Sequence, residues 1–222
     1  MKKTEFIDEP TRKLIDEYVS HYDADTVIKA DDKAVKMMFE QFDDSTLENV
    51  FVKSIILNNR YSAGLLDRKT NKERIAIDVY SMSEIIANNI KDCNSINDVI
   101  NLIEGMCLIV SEKNKNKPYS FLSKYFHWVY AHDEKIAVPI YDGYVKGMIY
   151  YLGQKFEYLG SFEQAELNSY KGFYEKYTQT LTTINQKLGT QYTIREFDKY
   201  MWKYAKELGT IEPDKVFVDI RI

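Results

Sequence analysis

Helix-start signals recur along this chain and leave little room for any other class of element. A Ser or Thr followed three residues later by Glu or Gln appears at Ser45–Glu48, Thr70–Glu73, Ser161–Gln164 and Thr193–Glu196, with a weaker Ser95–Asp98 version. Such a pair lets two side chains satisfy two of the backbone N–H groups that a helix start leaves without partners. Apolar residues at three-to-four spacing follow each start, as in Leu47, Val50, Phe51, Ser54 and Ile55, or Ile194, Phe197, Met201, Tyr204, Ala205 and Leu208, which Gly209 closes. Only four prolines interrupt the pattern.

The spacing predicts helices over about 9–22, 29–42, 46–58, 71–91, 96–110, 120–132, 143–152, 162–188 and 194–208. Val216–Ile222 alternates like a short C-terminal strand or a packed tail. The class expected is all-α. A length of 222 residues fits a single all-helical domain, 1–222, or two helical lobes.

Composition excludes several functions. Hydrophobic residues make up 45% and charged residues 29%, a soluble globular balance. No apolar run approaches the roughly 18 residues a membrane helix needs. The N-terminus turns acidic at once, without the apolar stretch of a signal peptide, so a cytoplasmic protein is expected. Two cysteines, Cys93 and Cys107, cannot make a four-thiolate site, and His21, His127 and His132 carry no ligand spacing. No metal or cofactor is expected. A net charge of −4 argues against coating nucleic acid by bulk charge but allows a local basic face.

The segment 113–145 concentrates the chemistry. Lys113, Lys115 and Lys117 lie in a polar run leading to a helix that starts near Ser120. A helix start with lysines beside it favours an anion such as a phosphate, although a polar run is more often simply solvated. Lys124 sits among Phe121, Tyr125, Phe126 and Trp128. Desolvation lowers a lysine's pKa and makes its amine a nucleophile. A snorkelling surface lysine is the plainer alternative. Asp142 follows Val138-Pro139-Ile140-Tyr141 at the start of the next helix, where an aspartate stays ionised. An ionised carboxylate stabilises positive charge at a glycosidic carbon, and a bare N-cap does nothing more than cap.

Together these residues resemble the core of helix-hairpin-helix DNA glycosylases, most closely the 8-oxoguanine type. Ser123-Lys124-Tyr125 matches the lysine position and Val138-Pro139-Ile140-Tyr141-Asp142 the aspartate motif, at a spacing of 18 (142 minus 124). Upstream, Ser54-Ile55-Ile56-Leu57-Asn58-Asn59-Arg60 resembles the family's apolar–Asn–Asn segment. The resemblance covers about 50–150 and implies a two-lobed helical fold of the helix-hairpin-helix type. It implies catalysis by Lys124 and Asp142. Asn58, with Asn59 and Arg60, would fill the gap left by the extruded base. Lys113, Lys115, Lys117 and Ser120 would hold phosphates, and Tyr125, Trp128, Tyr141 or Tyr144 would stack on the base. The implied partner is double-stranded DNA with a damaged base, cut by a glycosylase/lyase. Two features depart from the family. No glycine stands between Gly105 and Gly143 to build the phosphate-gripping hairpin, and Tyr141 is an additional residue before the aspartate. A non-catalytic nucleic-acid binder on the same scaffold and an all-α protein-interaction module are the alternatives.

Overall fold

The computed structural model describes residues 7–61, 65, 77–111, 117–133 and 135–211. They form nine α-helices and two short 3-10 helices, with no strand among the described residues, so the protein is all-α. The helices are α1 (Arg12–Ala24), α2 (Thr26–Gln41), α3 (Leu47–Tyr61), α4 (Val79–Asn89), α5 (Ile96–Ser111), α6 (Tyr119–Val129), α7 (Gly143–Lys155), α8 (Tyr170–Leu188) and α9 (Ile194–Ile211). The expected strand at 216–222 and the Thr70–Glu73 cap lie outside the described residues.

The chain divides into two compact units. Lys29–Val138 makes one, and Met1–Ile28 joins Pro139–Ile222 to make the other. The middle of the sequence is therefore one body, and the two ends close on each other to form the second.

In the 29–138 unit, α3 packs on α4 and α6, and α5 packs on α4 and α6. α6 is buried on every side: Tyr119, Phe121, Leu122, Ser123, Lys124, Tyr125, Phe126 and Trp128 are all covered. A helix apolar all round belongs at the centre of its body. α5 buries Val99, Ile103, Met106, Cys107 and Val110, a three-to-four stripe. Burial pushes the Cys107 thiol well above its ordinary range, which keeps it protonated and inert.

In the other unit, α9 is the hub, with α1, α7 and α8 packed against it. Its buried face is Phe197, Tyr200, Met201, Tyr204 and Ala205. Tyr18 of α1 lies on Tyr204 at 4.8 Å between ring centres, and Asp8 donates its N–H to the Tyr204 hydroxyl at 2.8 Å. Arg12 donates to the carbonyls of Leu188 and Gly189 at the end of α8. Gly189 ends that helix at φ 61°, a left-handed turn that glycine adopts without cost.

Several expected caps form and others shift. Thr193 and Glu196 exchange the full set of capping bonds, and Ser95 caps Asp98 N–H while the Asp98 carboxylate takes the Ser95 hydroxyl and Asn94 N–H. At α3 the cap is Thr46, which accepts from Asn49 N–H at 3.3 Å. Ser45 is drawn away by Asp43, to which its hydroxyl donates at 2.6 Å. α9 runs past Gly209 to Ile211 rather than stopping there.

The expected helix 162–188 is two elements. A 3-10 helix, Gln164–Asn168, is capped by a Glu163–Glu166 box instead of Ser161–Gln164. α8 starts afresh with Ser169 accepting from Gly172 N–H at 3.0 Å. Gly172 permits this break: a Cβ there would stand 2.0 Å from the Glu166 carbonyl oxygen. Gly172→Ala forces the junction apart and is expected to cost about 1–3 kcal/mol, the range for an overpacked site. A Tm fall of several degrees by calorimetry is the expected outcome, and an unchanged or raised Tm would remove the steric account of the break.

Candidate functional site

The prolyl segment before α7 is anchored at each residue, within one unit. The Pro139 carbonyl accepts from the buried Tyr170 hydroxyl at 2.8 Å. Ile140 N–H donates to Asp198 Oδ2 at 3.2 Å. The Tyr141 hydroxyl donates to the Leu167 carbonyl at 2.8 Å, and its ring meets Phe173 edge-on at 5.0 Å. Asp142 is the N-cap of α7, accepting from Tyr144 N–H at 2.8 Å. No glycine is spent on this loop; side chains from α8 and α9 hold it instead.

Two ionisable groups that sequence reasoning did not single out stand around this segment. Lys146, one turn into α7, is buried, and its ammonium donates to Asn168 Oδ1 at 2.9 Å and the Tyr141 hydroxyl at 3.2 Å. Burial lowers its pKa. Asp198 of α9 is 7% exposed, and its Oδ1 has no hydrogen-bond partner among the described residues. Burial pushes its pKa up to about 8, against the opposing pull of the Tyr177 hydroxyl and Ile140 N–H, and the charge on Asp142 raises it further. Both were legible in principle as polar residues set into apolar helical stripes, Asp198 three residues before the buried Met201 and Lys146 between the buried Val145 and Met148.

In the 29–138 unit, Lys124 is 4% exposed. Its amine donates to Ser120 Oγ at 3.0 Å, one turn back in α6, and to the Tyr61 carbonyl at 3.4 Å, at the end of α3. Helix-end carbonyls carry partial negative charge and lack intrahelical partners, so they suit an ammonium. Lys124 belongs to the 29–138 unit and Asp142 to the other.

The remaining expected residues separate. Asn58 is 7% exposed, and its side-chain amide clasps the backbone of Leu65, accepting its N–H at 3.1 Å and donating to its carbonyl at 3.3 Å. Asn59 is exposed, and Arg60 pairs with Asp31 at 3.1 Å. Lys113 and Lys115 lie outside the described residues. Lys117 is exposed, with its ammonium 5.6 Å from the Tyr119 ring centre. α6 starts at Tyr119 behind Pro118, which supplies no side-chain cap. Tyr125 and Trp128 are interior to their unit, whereas Tyr141 and Tyr144 are half-buried.

Tyr125 belongs to a network absent from the sequence reading. Its hydroxyl donates to Asp44, which also takes the ammonium of Lys53 at 3.0 Å. Lys53 is 2% exposed and lies over the Phe39 ring at 4.9 Å. Lys53 occupies the buried stripe of Val50, Ser54 and Leu57, so its charge is compensated inside the body. Burial raises the Tyr125 pKa far above the ordinary tyrosine range, and the Asp44 charge adds to it.

Comparison with known proteins bears on these regions unequally. Residues 14–134 match the N-terminal domain HI_0787_N. An uncharacterized protein of Haemophilus influenzae is 30% identical over 90 residues, which is 40% of this chain and 38% of that protein. The chain thus covers well under half of that relative. No solved structure matches. The matched region holds Lys124 and the Asp44–Lys53–Tyr125 network; Asp142, Lys146 and Asp198 follow it.

Asp44→Ala strands the Lys53 charge in the interior. It is expected to cost about 3–5 kcal/mol in denaturant unfolding, as removal of one partner from a buried pair does. Lys53→Met, which leaves Asp44 partly hydrated and still bonded to Tyr125, is expected to cost clearly less. Equal losses would mean that desolvation of Lys53 does not govern the network.

Proposed function

We propose that this chain, which belongs to the HI_0787_N family, is a DNA glycosylase/AP lyase acting on an oxidised purine of the 8-oxoguanine type. The observation that carries the reading is the mount of Asp142. The carboxylate caps α7 at the end of a segment held by Tyr170, Asp198 and Leu167, so it is fixed at a helix start, where the dipole favours an anion. A preorganised carboxylate stabilises the cation that forms at the sugar as the base departs.

In this reading Lys124 supplies the nucleophile. An enzyme acting on a base first takes the nucleotide out of the stack. The base leaves with the glycosidic electron pair, and the deprotonated Lys124 amine bonds to the anomeric carbon. Loss of a proton and ring opening give a Schiff base. Removal of a proton from the neighbouring sugar carbon then expels the 3′ phosphate and cuts the strand. Lys124 is supported in this role by its burial in α6, where its amine is held by Ser120 Oγ and the Tyr61 carbonyl. Lys117, exposed just ahead of α6, suits a phosphate contact.

A second reading, a nucleic-acid binder without chemistry, is favoured by Asn58, whose amide is committed to Leu65 rather than presented outward. Borohydride reduction separates the two. With duplexes carrying 8-oxoguanine or an abasic site, wild type is expected to give a covalent adduct and Lys124→Ala none. Asp142→Asn is expected to slow base release by on the order of 10²-fold while DNA affinity changes little. Salt-dependent DNA binding with no adduct on any lesion would establish the binder. Absence of DNA binding altogether would point to a protein-interaction module.

A further inference from the structure

We infer that Asp198 is the positioning residue of the Asp142 segment and that it works as an uncharged carboxylic acid, one oxygen holding Ile140 N–H. The arrangement is built from two elements of one unit. Asp198 lies on α9 beside the fully buried Phe197, and it reaches Ile140, two residues before Asp142, at 3.2 Å. Its other oxygen is buried without a hydrogen-bond partner among the described residues. A charged carboxylate left like that costs far more than a neutral one, which needs only one acceptor for its proton.

The surroundings supply little positive charge to hold it ionised. The Tyr177 hydroxyl of α8 pulls against the rise, but its proton is given to the Ile194 carbonyl at 2.8 Å. Tyr170, also on α8, is fully buried and donates to Pro139. From the start of α7, Asp142 opposes a second negative charge, and Arg195 of α9 is the weakest of the favourable influences. α1 meets α9 further along, through Tyr18 at Tyr200 and Tyr204. A value near 8 for this acid agrees with the geometry. A neutral Asp198 braces the loop while leaving the negative charge at this helix start to Asp142.

The role of Asp198 as brace and acid stands on the unit itself; only the excision measurements rest on the base-excision reading. Carboxyl-carbon NMR, with Asp198 identified by the loss of its signal in Asp198→Asn, is expected to show it protonated at pH 7. Titration below about pH 6 overturns the proposal. The unfolded chain releases this proton near its ordinary value of 3.8, whereas the native state keeps it to about 8. Wild type therefore loses stability as pH rises across that window. Asp198→Asn, with the same shape and hydrogen-bonding pattern as the neutral acid, is expected to gain on wild type in Tm from pH 4 to 8, with no further gain above. A gap that is absent or of opposite sign overturns the proposal.

Asp198→Leu keeps the apolar contacts and removes the acceptor. It is expected to expose the Ile140 and Tyr144 amides to faster hydrogen exchange and, in excision, to lower kcat by on the order of 10²-fold with little change in KM. Asp198→Asn is expected to retain both and to lack the fall in kcat expected of wild type above pH 8. Unchanged exchange at Ile140 in Asp198→Leu contradicts the positioning role. If wild type excises nothing, the base-excision reading falls, and titration and exchange alone decide the role of Asp198.

Discussion

A protein made of helices leaves unpaired backbone groups at every helix end and in every connection, and burial makes each of them costly. Tyrosine is the recurring answer in this chain. Tyr170 donates to Pro139, Tyr141 to Leu167 and Tyr177 to Ile194. Each ring contributes apolar surface to the interior, while its hydroxyl crosses to a loop or a helix end on the far side. The 18 tyrosines of the sequence gain a purpose from this that composition alone did not suggest. The same bonds fix the 139–142 segment without glycine, so the proposed chemistry depends on aromatic packing several residues away in α8.

Two of the buried lysines show how differently a charge can be accommodated. Lys53 has Asp44 at 3.0 Å and an aromatic face beneath it. Among the described residues Lys146 has a phenol and an amide, and its pKa falls. The first pattern is that of a structural pair. The second, with the buried Asp198 carboxyl in the same unit, concentrates perturbed groups around one loop. Perturbed groups gather where a protein accepts instability for a task.

Helix positions were largely legible because three-to-four periodicity and capping chemistry are local. Where they failed, a competing local bond explains it: Asp43 captured Ser45, and the close approach of Gly172 to Glu166 broke one expected helix into two. The site was less legible. Asp142 as a cap followed from its neighbours in sequence. Asp198 reaches Ile140 across 58 residues, and the Lys53–Asp44–Tyr125 network is closed by Tyr125, 81 residues beyond Asp44. Such partners are chosen by tertiary packing. Asn58, expected to face outward, clasps Leu65 because a buried amide must satisfy both its donor and its acceptor.

The division of the chain carries a consequence for how the protein comes into being. The 29–138 unit is contiguous, so a nascent chain has every part of it in hand before α7 is made. The other unit joins Asp8 to Tyr204 across 196 residues, and Lys187 pairs with Glu9 across 178. α1 must therefore wait, its tyrosines uncovered, while the whole intervening body is synthesised and folds. Loop closure of that length is slow. α9, made after that body, gives α1 its partner, so the order of synthesis makes the loop bearing Asp142 rigid only after the 29–138 unit has formed.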